Sequence, residues 1–220
     1  MDLRRRRAWR WRPRCRAVDL PADDDAAGLC EYADAVVEAI GDRADAVLVA
    51  QSMGSFTAAM VCPRLPGRVS LLVLVNAMIP LPGETPGAWW ANTGQPQARR
   101  ENDVRAGRSP DADFDPLVYF FHDVPAEVTA WAIAGGRRQS DSVFASPCAI
   151  DAWPAVPTRI LVGRDDRFFP ADFQRRVAEE RLGITPDEIP GGHLLAFSQP
   201  QELAGRIQAL AAEQRAERTP

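Results

Sequence analysis

The sequence contains no lysine, because all 26 of its basic residues are arginine, and it has only two histidines, His122 and His193. Its four cysteines are widely spaced, so that neither a CxxC pair nor a Cys/His zinc pattern is present. Four cysteines in 220 residues are also too few for a disulfide scaffold. We therefore expect free thiols, a reducing cytoplasmic location, and no metal ion or organic cofactor.

Long apolar runs are also absent. The best candidate, Leu71–Val75, has the length of a strand, whereas a membrane-spanning helix requires roughly 18 apolar residues. The amino-terminal residues lack the apolar stretch of a signal peptide. With 220 residues, of which 46% are hydrophobic, the chain is expected to form one compact domain away from the membrane.

The positive charge is concentrated at the amino terminus. Residues 1–16 hold eight of the 26 basic residues and one of the 30 acidic ones, which leaves a net charge of −11 on the rest of the chain. Arginine interleaved with tryptophan could bind nucleic acid, because arginine contacts phosphates and tryptophan stacks on bases. The acidic remainder of the chain would repel phosphates. The charge distribution therefore argues against nucleic-acid binding, and we expect residues 1–14 to lie outside a core domain that spans 15–220.

Apolar runs alternate with amphipathic stretches through much of the chain, which is typical of a parallel α/β sheet with flanking helices. The continuous run Ala46–Ala50 predicts a strand that is buried on both faces. The other predicted strands are Cys15–Pro21, Leu71–Val75 and Arg159–Val162. The predicted helices are Ala26–Ile40, capped by the preceding aspartates, then Phe56–Cys62, Pro170–Arg181 and Pro200–Glu213.

Between the second and third of these buried strands the pattern changes. Proline, glycine and aromatic residues crowd together, which indicates an inserted helical lid at about residues 77–157 that covers one end of the sheet. His122 falls in this insertion and is interpreted as a lid residue. Large aromatic side chains in the insertion either line an apolar substrate pocket or form the core of the lid itself. The pocket candidates are Trp89, Trp90, Phe121 and Trp131.

The most informative motif is Ala50-Gln51-Ser52-Met53-Gly54, which lies between a predicted buried strand and a predicted helix. A serine in such a turn is held in a strained conformation that exposes its hydroxyl, and its neighbours two residues away must be small. The Met53 amide at the start of the helix would stabilise an oxyanion. A serine beside a glycine is more often a simple helix cap, so the motif needs partners.

A reactive serine needs a histidine to accept its proton and a carboxylate to orient that histidine. Asp166 follows the predicted strand Arg159–Val162, and His193 follows two glycines in a later loop. Taken singly, Asp166 is equally well a helix cap and His193 an exposed loop residue. Their order after Ser52 favours a catalytic triad, with Asp165 as the alternative carboxylate.

From Ala17 to about Leu210 the chain resembles the alpha/beta hydrolases, and it is similar to bacterial members related to plant methyl esterases and hydroxynitrile lyases. The resemblance rests on segments at four places in the sequence: Val18–Pro21, the serine motif, Asp165–Pro170 and Gly191-Gly192-His193. It implies an alpha/beta hydrolase fold with a helical lid. It also implies that Ser52 is the nucleophile, Asp166 the orienting acid and His193 the base in the hydrolysis of small carboxylic esters through an acyl-enzyme.

The sequence departs from this family at two places. Related hydroxynitrile lyases carry a lysine after the histidine, whereas Leu194 stands here, which favours ester hydrolysis over lyase chemistry. Family members also begin with further strands, one of which ends in a His-Gly loop that supplies a second oxyanion donor. Seven arginines make residues 1–14 unsuitable for such a buried strand.

We therefore expect an amino-terminally shortened fold, from a truncated or wrongly started chain. Loss of one oxyanion donor typically costs about 10²- to 10³-fold in rate. The alternative to an esterase is accordingly a catalytically impaired, hydrolase-like binding protein.

Overall fold

The computed structural model describes residues 15–218, so the predictions for residues 1–14 lie outside the described part. The described residues form four strands, which are β1 (Ala46–Gln51), β2 (Val69–Val75), β3 (Thr158–Gly163) and β4 (Asp187–Ile189). Their helices are α1 (Leu29–Ile40), α2 (Gly54–Arg64), α3 (Pro86–Thr93), α4 (Gln95–Arg105), α5 (Pro116–Tyr119), α6 (Ala126–Ala134), α7 (Ser142–Ala145), α8 (Ala171–Leu182), α9 (Leu195–Ser198) and α10 (Pro200–Arg218).

The strands form one parallel sheet in the order β1-β2-β3-β4. Its register pairs Leu48 with Leu72 and Leu74 with Ile160. The predicted α/β class with a parallel sheet and flanking helices is thereby confirmed. All four strands end at the same edge of the sheet, which is where open α/β sheets place their ligands.

Strand β2 is buried along its whole length and divides its side chains between two cores. Leu72 and Leu74 belong to the cluster that includes residues of α1, α2 and α8, while Leu71 and Val73 belong to the cluster that includes residues of α10. This alternation follows from the period of two along a strand. Strand β2 is therefore covered on both faces, as its continuous apolar sequence predicted.

Two predictions about the first strands are wrong. Residues Cys15–Pro21 form no strand, although Val18 and Leu20 pack against the core. Strand β1 is not buried on both faces, because Val49 is 44% exposed. Within residues 15–218 β1 pairs only with β2 and is an edge strand of the sheet, so its side chains lack the neighbours that a central strand has.

The first helix begins three residues later than predicted. The Asp24 carboxylate accepts the Ala26 amide and forms a local turn, instead of capping the helix. Helix α1 starts at Leu29, and the Glu31 side chain reaches back to accept the Gly28 amide at 2.8 Å. The aspartate cluster is thus a turn that precedes the helix.

Helices α3 to α7 fall between β2 and β3, in the stretch that contains the predicted insertion at residues 77–157. We refer to residues 77–157 as the insertion. Its Trp89 is fully buried and packs in the main core, so the insertion is joined firmly to the sheet layer. No helix among the described residues is long and apolar enough to cross a membrane.

The four cysteines all lie in the described part and are free thiols, as predicted. Cys15 and Cys30 are exposed, whereas Cys62 and Cys148 are buried. Burial raises the pKa of the Cys62 thiol to about 11 and that of Cys148 to about 12, so the two buried thiols are protonated and unreactive at neutral pH.

Candidate active site

Ser52 lies in the tight turn between β1 and α2, with a positive φ of 51°. A positive φ is rare for residues other than glycine and marks backbone strain that the surroundings must hold. The Ser52 amide donates to the Val75 carbonyl at 3.0 Å, and the Ser52 carbonyl accepts the Met78 amide at 3.0 Å. The Ser55 hydroxyl also contacts the Ser52 carbonyl at 2.9 Å. The predicted elbow is therefore present and is held from both sides.

The small residues around the elbow lie against each other. A Cβ atom added at Gly54 would lie 4.0 Å from the Ala50 Cβ, which is ordinary van der Waals contact. The Met53 amide lies at the start of α2, directly after Ser52. The amide groups at the start of a helix are suited to bind an anion.

His193 follows β4 in a loop and is only 2% exposed. Its Nε2 lies 3.2 Å from the Ser52 Oγ, and its Nδ1 lies 2.8 Å from the Asp166 Oδ2. Because the carboxylate can only accept, the Nδ1 carries the proton and the Nε2 faces the serine with its lone pair. The structure thus brings together the three residues that the sequence singled out.

Asp166 is held in place by its own backbone turn. Its Oδ1 accepts the amides of Phe168 at 2.8 Å and Phe169 at 2.9 Å, which leaves Oδ2 for the histidine. The alternative carboxylate, Asp165, is exposed and accepts the Gly191 amide at 3.1 Å instead. The histidine ring therefore contacts Asp166, as the order of residues in the sequence favoured.

The loop that carries His193 is fixed by side chains at the carboxyl ends of β1 and β2. Gln51 Nε2 and Asn76 Nδ2 each donate to the His193 carbonyl at 2.9 Å. The loop also packs tightly on the end of β3, where a Cβ added at Gly163 would lie 2.5 Å from the Gly192 carbonyl oxygen. The sequence analysis did not predict these roles for Gln51 and Asn76, although each residue directly follows a predicted strand.

Three phenylalanine rings surround the His193 imidazole. Phe120 stacks on it with centroids 5.0 Å apart and planes 20° apart, while Phe168 and Phe169 approach edge-on at 5.3 and 4.9 Å. Such an apolar wall excludes water from the ring. The sequence placed Phe120 in the insertion but did not single it out as a contact of the histidine.

The four pocket candidates have different environments. Trp89 is fully buried, donates its Nε1 to the Ile79 carbonyl and packs on Phe169, so it is a core residue and not a pocket wall. Trp90 is half-buried and contacts Phe168 at 5.5 Å, which places it one ring away from the histidine. Phe121 is half-buried, and Trp131 is 68% exposed.

His122 lies beside the loop that carries His193, with its side chain 9% exposed. Burial lowers its pKa, and the nearby Arg167 adds to this effect, while Asp123 and Asp166 oppose it. Among residues 15–218, no group of three or more His, Cys, Asp or Glu side chains is arranged to hold a metal ion.

Comparison with known proteins yields a family match and solved structures of the same fold. The model of the alpha/beta hydrolase family matches residues 1–206. A pyrethroid hydrolase of Sphingobium wenxiniae is 27% identical over 172 residues, which cover 73% of this chain and 61% of that protein. This chain therefore spans about three fifths of the length of that curated relative.

The similar solved structures share the fold at low sequence identity. Polyneuridine aldehyde esterase superposes with a TM-score of 0.64 at 18% identity, covering 84% of this chain and 80% of that one. A pyrethroid hydrolase from Sphingobium faniae JZ-2 superposes with a TM-score of 0.65 at 19% identity, covering 88% and 84%. At these identities the structural likeness establishes the fold.

Proposed function

Because the chain belongs to the alpha/beta hydrolase family, we propose that it hydrolyses small carboxylic esters, with Ser52 as nucleophile, His193 as general base and Asp166 as the acid that orients the histidine. The observation that carries this proposal is the continuous chain of contacts from Asp166 Oδ2 to His193 Nδ1 and from His193 Nε2 to Ser52 Oγ, at 2.8 and 3.2 Å. The 27% identity with a pyrethroid hydrolase agrees with ester hydrolysis as the reaction class.

In the first step His193 Nε2 accepts the proton of the Ser52 hydroxyl while Oγ attacks the ester carbonyl carbon. The imidazolium that forms is stabilised by the Asp166 carboxylate on its other nitrogen. Oγ forms a bond to the carbonyl carbon, and the carbonyl oxygen becomes an oxyanion. The Met53 amide at the start of α2 donates to this oxyanion.

Collapse of the tetrahedral intermediate breaks the bond between the carbonyl carbon and the alcohol oxygen. The alcohol leaves with the proton from His193, and the acyl group remains on Ser52. A water molecule then gives its proton to His193 Nε2 and attacks the acyl carbon. The acid is released, and the proton returns to Ser52 Oγ.

The apolar surroundings of His193 support an ester with small apolar groups. Phe120 comes from the insertion and Phe168 from the turn after Asp166, so a substrate at Ser52 meets aromatic surface. Trp90 and Phe121 extend this surface in our proposal, and the insertion acts as the lid of the site. The four free thiols support a reducing, cytoplasmic setting for the reaction.

A fluorophosphonate probe tests the proposal without knowledge of the natural ester, because an activated serine forms an O–P bond with it and releases fluoride. We expect peptide mapping to place the label on Ser52, and His193→Ala to lose it. Hydrolysis of p-nitrophenyl acetate should fall by about 10⁶-fold in Ser52→Ala. Ser109→Ala, at an exposed serine of the insertion, is the matched control.

Two results would contradict the proposal. A folded protein that takes no label and hydrolyses no ester would show that the arrangement is not an active triad. Label that persists in Ser52→Ala would show that another residue reacts. The first of these results would favour the alternative of a hydrolase-like binding protein.

A further inference from the structure

One short segment of the insertion contacts the loop that carries His193 at two points. Phe120 stacks on the imidazole at 5.0 Å. Three residues later, the Asp123 Oδ2 accepts the Gly192 amide at 2.6 Å, directly before His193 in the chain. The ring of the proposed base and the backbone of the residue before it are thus contacted by the same stretch of the insertion.

The contacts with His122 and Asp123 are close enough to explain why position 192 carries glycine. A Cβ added at Gly192 would lie 2.7 Å from the Asp123 Oδ1 and 2.5 Å from the His122 Nε2. Gly192 has no positive φ, so its backbone conformation does not require glycine. The requirement is space, because the His122 imidazole and the Asp123 carboxylate both approach the backbone more closely than a side chain at position 192 would permit.

The other hydrogen bonds to this loop come from the carboxyl edge of the sheet. Asp165 accepts the Gly191 amide, and Asn76 donates to the carbonyls of Gly192 and His193. Asp123 differs from these residues because it belongs to the insertion. Its hydrogen bond therefore couples the position of the insertion to the position of the imidazole.

We propose that Asp123 is a positioning residue for the reaction, because its hydrogen bond to the Gly192 amide holds the His193 ring at Ser52 and docks the insertion on the catalytic loop. This inference rests on the proposed function. Asp123 acts through Gly192 and His193 and does not touch the reacting atoms. A charged acceptor at 2.6 Å from a backbone amide is a strong, directional tie.

The test compares Asp123→Ala with Asp123→Asn in fluorophosphonate labelling and in hydrolysis of p-nitrophenyl acetate. Asn retains an acceptor oxygen for the Gly192 amide, whereas Ala removes it. We expect Asp123→Ala to lower kcat and the labelling rate of Ser52 by roughly 10- to 100-fold, with KM nearly unchanged, because a base displaced by about 1 Å loses rate on this scale. Asp123→Asn should restore most of the rate.

Asp113→Ala is the matched control, since Asp113 is an exposed carboxylate of the same insertion. Thermal unfolding of each variant separates loss of fold from loss of alignment. If folded Asp123→Ala reacts as fast as Asp113→Ala, the inference is overturned. It is also overturned if Asp123→Asn falls as far as Asp123→Ala, since the hydrogen bond would then not be the cause.

If Asp123→Ala does not fold, Gly192→Ala decides the matter, because it leaves the carboxylate in place and adds a methyl group that pushes against Asp123 and His122. We expect it to lower kcat, and a wild-type kcat would overturn the inference. A wild-type protein that is folded but unlabelled is a different result. It overturns the proposed function first and this inference with it.

Discussion

Asn76 joins His193 to the carboxyl ends of two strands. Its Nδ2 donates to the His193 carbonyl at 2.9 Å, and its Oδ1 accepts the Gly163 amide at 2.7 Å. Asn76 follows β2, is fully buried, and has a positive φ of 44°. Asparagine tolerates that backbone conformation better than most residues and also fills both hydrogen-bonding roles.

We expect Asn76→Ala to destabilise the protein and to slow ester hydrolysis. The substitution leaves the Gly163 amide and the Gly192 carbonyl without their hydrogen bonds, and each such loss costs about 1–3 kcal/mol. The His193 carbonyl keeps its hydrogen bond from Gln51. Chemical denaturation should therefore show a decrease in unfolding free energy of about 2 kcal/mol or more. Asn76→Gly separates the causes, because glycine removes the side chain but accepts the positive φ.

If Asn76→Gly were as stable as the wild type while Asn76→Ala was not, backbone strain and not hydrogen bonding would account for the loss. A decrease under about 1 kcal/mol in both variants would contradict the assigned role.

The three residues of the proposed triad could be predicted because Ser52 and Asp166 each follow a recognisable strand, and His193 comes after them in a glycine-rich loop. Ser52 stands in a small-residue elbow, Asp166 comes after a later predicted strand, and His193 follows Gly191 and Gly192. Asn76 could not be singled out in this way. An asparagine after an apolar run is typical of any turn, and its partners at positions 163 and 193 come near only when the sheet has formed.

The fold likewise has elements that the local sequence predicts and elements that it does not. Strands β2 and β3 were predicted from continuous apolar runs, whereas β4 was missed because it has three residues, two of them acidic. The predicted strand at Cys15–Pro21 failed because a strand requires a neighbour, which the alternation of residues does not reveal. The contact of Phe120 with His193 joins residues 73 positions apart, and local pattern gives no signal for it.

We expect Phe120→Ala to lower kcat by roughly 3- to 10-fold, because an aromatic pair contributes about 0.5–1.5 kcal/mol beyond its buried area. The ring stacks on His193 and so limits rotation of the imidazole. Phe121→Ala is the comparison, since this neighbour is half-buried and is proposed to line the pocket. It should raise KM more than it lowers kcat in steady-state hydrolysis. If instead Phe120→Ala mainly raised KM and Phe121→Ala mainly lowered kcat, Phe121 would be the residue that holds the imidazole and Phe120 the one that lines the pocket.

His122 is expected to make the protein less stable in mild acid. Burial and Arg167 lower its folded pKa below the ordinary value of 6.5, so the unfolded chain binds the proton more readily. Stability then falls as pH decreases through 6.5 toward the folded pKa. Denaturation from about pH 8 to 5 should show a smaller decrease in His122→Asn than in the wild type. Parallel curves for the two proteins would exclude this contribution.

Glu84 and Arg181 form a buried ion pair that joins the insertion to α8. Their side chains are 3% and 8% exposed, and Arg181 Nη2 lies 3.0 Å from Glu84 Oε1. Asn92 and the Leu81 amide also donate to this carboxylate. Burial raises the pKa of Glu84, but the hydrogen bonds from Arg181, Asn92 and Leu81 outweigh it, so that the net pKa is lowered.

Glu84→Gln should therefore lower the unfolding free energy at pH 7 by about 3–5 kcal/mol, because it leaves the Arg181 guanidinium buried without a countercharge. Since the folded pKa of Glu84 is lowered, its contribution is present above the unfolded value of 4.5 and disappears as pH falls through the folded pKa. The difference between wild type and Glu84→Gln should narrow over that acid range. Arg181→Met combined with Glu84→Gln should cost less than the two single losses added together, because no charge then stays buried alone. Additive losses would mean that the two side chains stabilise the protein independently and that the pair does not tie the insertion to α8.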